Sequence, residues 1–171
     1  MELSSYIATI PDYPQEGIAF KDITPLLRDQ EAFDFALGEF KKYFVNDEIE
    51  YVVGIEARGF IFAAALADRL NCGLVLVRKA GKLPGDVLSK KYDLEYGSAE
   101  LEIRLDSLPE NARVLVVDDV LATGGTAICA MSLIQELGAD IVGFAFLISL
   151  SFLEGEQKLH PYRTVTLVKY E

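Results

Sequence analysis

Val114-Leu115-Val116-Val117 is an unbroken apolar run that stops on two carboxylates, Asp118 and Asp119, and it leaves the chain few ways to fold. A strand with one wet face alternates apolar and polar residues, whereas a continuous β-branched run belongs to a strand covered on both faces of a parallel sheet. A short loop, Ala122-Thr123-Gly124-Gly125-Thr126, follows, and from Thr126 to Ile134 the apolar spacing is helical. Strand, acids, glycine loop and helix make an α/β unit. Its acids stand where open α/β sheets bind ligands, outside the carboxyl ends of the strands.

The loop has the chemistry of a phosphate cradle. Glycines let backbone N–H groups turn inward, threonine hydroxyls add donors, and a helix N-terminus adds partial positive charge. The acids repel phosphate and suit sugar hydroxyls or magnesium, so the unit implies a ligand with both a phosphate and a ribose. A lone Gly-Gly would be read as an ordinary turn beside solvated acids; the whole stretch points further. Gly54 and Gly59 have Walker A spacing but are followed by Phe60 and Ile61, and no strand-like run is followed by Gly-x-Gly-x-x-Gly. The hydrophobic run, paired acids and Thr-Gly-Gly-Thr loop resemble the phosphoribosyl diphosphate motif of the type I phosphoribosyltransferases.

The chain has 171 residues, 51% hydrophobic and 25% charged, which suits one buried core and a single domain, 1–171, with about 1–30 as an appendage. A net charge of −11 argues against nucleic-acid binding, which needs clustered cations. Cys72 and Cys129 suggest neither a disulfide framework nor a thiolate metal site and are expected to be small buried residues. With no leader-like N-terminus and no apolar run near the ~20 residues of a membrane span, a soluble cytoplasmic protein with no membrane partner is expected.

The first thirty residues do not read as sheet; Tyr6–Ile10 suggests a short helix before a loop punctuated by Pro11, Pro14 and Gly17. Asp29 reads as the N-cap of a helix with Phe33, Leu37, Phe40 and Phe44 on one face. Tyr51–Glu56 and Leu74–Val77 read as strands around a helix at Phe60–Leu70. Arg78–Tyr96 lacks a clear period and is expected to be a functional loop. Ala99–Leu105 alternates like a strand, Ile141–Leu150 is another buried run, and Thr164–Val168 is an edge-like strand. Alternating strands and helices predict a mostly parallel sheet covered on both faces.

Arg58, within Glu56-Ala57-Arg58-Gly59-Phe60, should reach the rim that holds Asp118 and Asp119, where its fork of donors would clamp a diphosphate; the plainer reading is a surface Arg paired with Glu56. Gly59 is expected to let backbone approach the ligand. Arg78, Lys79 and Lys82 are clustered cations in an acidic chain. These two segments, with Phe20-Lys21-Asp22-Ile23-Thr24-Pro25-Leu26-Leu27 and Leu94-Glu95-Tyr96-Gly97, are similar to the adenine-specific branch of the phosphoribosyltransferases, from Tyr13 nearly to the C-terminus.

That resemblance implies the type I fold with a small N-terminal hood. It implies a homodimer of purine salvage that joins adenine to phosphoribosyl diphosphate, giving AMP and diphosphate, with Mg2+ held mainly by the substrate diphosphate. Carried over by position, Ala122, Thr123, Gly124, Gly125 and Thr126 would cradle the 5′-phosphate, and Asp118 and Asp119 the ribose hydroxyls. Arg58, Arg78, Lys79 and Lys82 would face the diphosphate. Glu95 matches the acid/base at adenine N7, Arg58 joins it as a catalytic group, and Tyr96 lies in the flexible loop. Ala19, Phe20 and Lys21 fall where the hood meets adenine.

Lys21, Ala80 and Ser149 depart from the family pattern, which expects Arg, Pro or Arg, and Glu. The lone His160 reads as a surface residue. Two rivals remain: transfer to another purine such as xanthine or hypoxanthine, and a non-catalytic nucleotide-sensing regulator of the same fold, which would typically carry a DNA-binding domain.

Overall fold

The computed structural model describes residues 1–93 and 97–171. Two compact units divide the chain, Met1–Glu39 and Phe40–Glu171.

In the first unit a 3-10 turn at Leu3–Tyr6 leads into β1 (Ala8–Ile10), which pairs antiparallel with β2 (Phe20–Asp22), Thr9 opposite Lys21. The expected helix at Tyr6–Ile10 is therefore a turn and a strand, and the region does contain sheet. Two three-residue strands are too short to show a period, so nothing local marked the ribbon. Asp22 then accepts the amide of Thr24 at 2.9 Å as α1 (Thr24–Arg28) begins. Asp29 caps α2 (Gln30–Phe44) as expected, its Oδ1 accepting the Ala32 amide at 2.9 Å. On the part of that helix within the first unit Ala32, Ala36 and Leu37 are buried and Phe33 is half-exposed; Phe40 and Phe44, at its end, are buried and belong to the second unit.

Among the described residues the second unit holds a seven-stranded sheet in the order β5-β6-β4-β3-β7-β8-β9. These are β3 (Tyr51–Ile55), β4 (Gly73–Lys79), β5 (Val87–Asp93), β6 (Ser98–Arg104), β7 (Arg113–Leu121), β8 (Asp140–Leu150) and β9 (Arg163–Tyr170). The five strands from β4 to β9 run parallel, and β6 is antiparallel to both β4 and β5. β9 forms the edge, as its short alternation suggested. β5 corrects the reading of Arg78–Tyr96 as one loop: its burial is weak and its composition polar, because its order comes from pairing with β6.

α3 (Gly59–Leu70) crosses from β3 to β4, and α4 (Gly125–Glu136) from β7 to β8. A Cβ on Gly54 would stand 2.6 Å from that of Ala63, so glycine in β3 lets α3 sit close to the sheet. Val114 to Val117 are fully buried in the central strand. From β3 the chain winds first outward to β4, then returns to the other side of β3 as β7. The rim between β3 and β7 is thus the topological switch point, where a crevice opens.

Candidate active site

β7 runs two residues past its acids because β8 accompanies it to Leu121, opposite Ser149, whereas its pairing with β3 ends at Val117. Beyond Val117 one edge of β7 is released from the ladder while the other stays anchored. Asp118 and Asp119 occupy that half-released stretch.

The space beside them is taken by the start of α3. Arg58 Nε lies 2.7 Å from Asp119 Oδ2, and Asp119 is only 6% exposed. The arginine thus reaches the acid rim. A Cβ on Gly59 would stand 2.7 Å from Asp118 Oδ1 and 3.0 Å from the Val117 carbonyl oxygen. Gly59 is therefore needed for α3 to meet β7, a packing role that the sequence reading did not include.

Asp118 Oδ1 accepts the amide of Asp119 at 2.9 Å. Burial pushes the Asp118 carboxyl well above the ordinary carboxylate range, and the neighbouring Asp119 charge adds to it. Burial also raises Asp119, against the pull of the Arg58 guanidinium. Two adjacent acids whose charge is poorly compensated are a pair suited to a ligand that brings donors or positive charge.

A hollow of about 70 Å³ opens beside Asp118, lined by residues 122–126 and Phe146. Gly124 precedes α4 in the left-handed region, φ 84°, and a Cβ there would also meet the Gly155 carbonyl oxygen at 3.0 Å. Gly125 is ordinary by comparison, its nearest neighbours lying at 3.6 Å. Lys158 donates to the Thr123 carbonyl oxygen at 2.8 Å, which places a cation against the loop.

Glu56 gathers the second cationic cluster. Its Oε2 accepts the Lys79 amide at 2.8 Å and pairs with Arg78 Nε at 3.2 Å. Burial alone would raise this carboxyl, but the Lys79 amide and the Arg78 guanidinium together hold it below the usual value. Arg78 also donates to the Lys82 carbonyl oxygen at 3.3 Å and lies over the Phe60 ring, 5.9 Å from its centroid. Lys79 and Lys82 are exposed.

The geometry thus joins Arg58 to Asp119, sets Asp118 in one hollow with residues 122–126, and holds Arg78, Lys79 and Lys82 at the end of β4. Glu95 and Tyr96 lie outside the described residues. In the first unit Ala19 is exposed, Phe20 meets Tyr13 edge-on with centroids 5.2 Å apart, and Lys21 Nζ donates to Thr9 Oγ1 at 2.9 Å. Ser149 is buried within β8. Exposed His160 lines a separate hollow of about 470 Å³ that includes none of residues 118–126.

The family model of the phosphoribosyl transferase domain matches residues 29–170. The chain belongs to that family. An adenine phosphoribosyltransferase of Halothermothrix orenii is 50% identical over 169 residues, 99% of each chain. The crystal structure of adenine phosphoribosyltransferase from Thermoanaerobacter pseudethanolicus superposes with a TM-score of 0.95 at 45% identity, covering 99% of this chain and 98% of that one. The enzyme from Saccharomyces cerevisiae, solved in complex with an imino-altritol bisphosphate and adenine, gives 0.92 at 39% identity over 97% and 96%.

Against the phosphoribosyltransferase motif, sequence reasoning missed three groups around the site: Glu56 as the organiser of the β4 cations, Lys158 against the loop, and Tyr92 beside Thr126. Glu56 had a signal, an acid two residues before Arg58. The other two approach from elements far away in sequence. Of the cysteines, Cys129 is buried and Cys72 only partly so.

Proposed function

We infer that this phosphoribosyltransferase transfers the phosphoribosyl group of 5-phospho-α-D-ribose 1-diphosphate to adenine, giving AMP and diphosphate. The observation that carries the reading is the joint placement of Asp118, Asp119 and the 122–126 loop at the β3/β7 switch point, in a chain about half identical to adenine phosphoribosyltransferases over its length. The loop takes the 5′-phosphate on backbone amides and threonine hydroxyls. Asp118 and Asp119 accept from the ribose hydroxyls, and Arg58, Arg78, Lys79 and Lys82 oppose the diphosphate charge as the C1′–O bond breaks and N9 of adenine bonds to C1′. Glu95 handles the proton at adenine N7, and Tyr96 belongs to the covering loop.

Carboxylate oxygens suit a hard cation, but Asp119 is already paired with Arg58, and no group of three or more metal-binding side chains occurs among the described residues. Magnesium is proposed to arrive on the substrate diphosphate, where Asp118 would be the carboxylate available to it. Bound there, it would supply charge neutralisation for the departing diphosphate. The hood backbone around Ala19, Phe20 and Lys21 reads the donor–acceptor edge of adenine. A homodimer acting in the cytoplasm completes the proposal; among the described residues no helix is long and apolar enough to cross a membrane.

The test is turnover of phosphoribosyl diphosphate with adenine, hypoxanthine, guanine and xanthine, with and without magnesium. A site that hydrogen-bonds its base should reject hypoxanthine by roughly ten-thousand-fold. Comparable kcat/KM for the two bases would move the assignment to another purine, and binding without turnover of any base would favour the nucleotide-sensing regulator.

A further inference from the structure

β5 lies along α4, the helix that opens on the proposed phosphate loop, and its contacts climb that helix in order. Lys90 pairs with Glu136 at 2.6 Å and donates to Ser132 Oγ at 2.6 Å. One turn closer to the loop, Cys129 Sγ donates to the Lys90 carbonyl oxygen at 3.4 Å. At the top Thr126 Oγ1 and the Tyr92 phenol oxygen are hydrogen-bonded at 3.3 Å, and the Tyr92 ring edge and the Asp93 carbonyl oxygen both lie 3.6 Å from where a Gly125 Cβ would stand. A polar strand that buries little is thus fastened to the helix, and its last aromatic side chain ends on a loop hydroxyl.

We propose that Tyr92 is a positioning residue for the 5′-phosphate, acting through the hydroxyl of Thr126. The inference rests on the reading of residues 122–126 as the phosphate cradle. Thr126 has one hydroxyl proton. Either hydroxyl of the Thr126–Tyr92 pair can donate, so the threonine proton is available to a phosphate only when Tyr92 is the donor. Tyr92 can take that role, because a phenol O–H can donate to Thr126 Oγ1 while the threonine proton turns to the phosphate. The threonine is then fixed in its donor rotamer and polarised by the bond it receives, which strengthens the one it gives. No bond to the base or to the anomeric carbon is involved, so the effect belongs to phosphate affinity.

The test compares Tyr92→Phe, Thr126→Val and the double variant, using calorimetry with ribose 5-phosphate and steady-state kinetics. Tyr92→Phe keeps the ring against Gly125 and removes only the hydroxyl. The expected result is a three- to tenfold weaker Kd for ribose 5-phosphate, of the order of one hydrogen bond. KM for phosphoribosyl diphosphate should rise by about the same factor, with the adenine KM and the ligand-free Tm unmoved. On the Thr126→Val background Tyr92→Phe should add nothing, since its target is gone. A weaker Kd in Thr126→Val with no change in Tyr92→Phe, or with additive effects in the double variant, would overturn the role of Tyr92 alone. Unchanged ribose 5-phosphate binding in Thr126→Val would instead overturn the phosphate-loop reading beneath it.

Discussion

Two carboxylate sites stand at the ends of the neighbouring strands β3 and β7, and they are treated in opposite ways. Glu56 is supplied with an amide and a guanidinium, and its pKa falls. Asp118 is buried next to a second acid, and its pKa rises. The first acid is part of the scaffold: it ties the end of β3 to the cations at the end of β4. The second pair holds a charge that the fold does not fully compensate, so ligand binding can stabilise it. The contrast separates structure from function within one rim.

The largest expected effect tests the functional half of that contrast. Asp118→Asn with Asp119→Asn should lower kcat/KM by at least ~100-fold while circular dichroism and the melting transition remain those of a folded protein. Near wild-type turnover by the folded variant would make the acids structural and erase the distinction.

Next in size is the complementary change, Glu56→Gln. It removes two charge-assisted bonds at a mostly buried position, and stability should fall by about 1–2 kcal/mol in urea unfolding. An unchanged midpoint would mean that Arg78 and Lys79 hold their places without it.

Asp118→Asn alone should move stability in the other direction. Relieving a buried charge beside Asp119 should raise Tm by about 1–3 °C even as activity drops, since sites that hold uncompensated charge trade stability for function. Scanning calorimetry of the ligand-free proteins decides it, and a fall in Tm would show that Asp118 is already satisfied.

The smallest effect is in the pH dependence, where the two sites should have opposite signs. Glu56 has a depressed folded pKa, so its contribution is present above the unfolded value of about 4.3 and disappears as pH falls through the folded one. The gap between wild type and Glu56→Gln should therefore close in acid. Asp118 has a raised folded pKa, so its ionisation costs stability above that value, and the cost fades as pH falls toward about 3.9, the unfolded aspartate pKa. The advantage of Asp118→Asn should accordingly shrink over that higher window. Urea midpoints across pH 3.5 to 8 would show two curves of different shape; parallel curves would sink the comparison.

Periodicity and composition alone determined much of this protein. The apolar run Val114–Val117 could satisfy itself only inside a parallel sheet, the glycine and threonine loop could follow only at a strand end, and the helical spacing from Thr126 had to cross over. Those are local properties, set by backbone geometry and by the cost of exposing apolar surface, and the placement of Asp118, Asp119 and residues 122–126 followed from them. Tertiary structure decided what lay in pairings distant along the chain. β5 owes its order to β6 and α4, the β1/β2 ribbon is too short to carry a period, and Lys158 meets Thr123 only because the chain folds back. The pairing of Arg58 with Asp119, and of Glu56 with the Lys79 amide and Arg78, brings together residues from strand ends that only the assembled sheet makes neighbours. Burial and the charges around a carboxylate set its pKa, and both are properties of the assembled rim rather than of any segment within it.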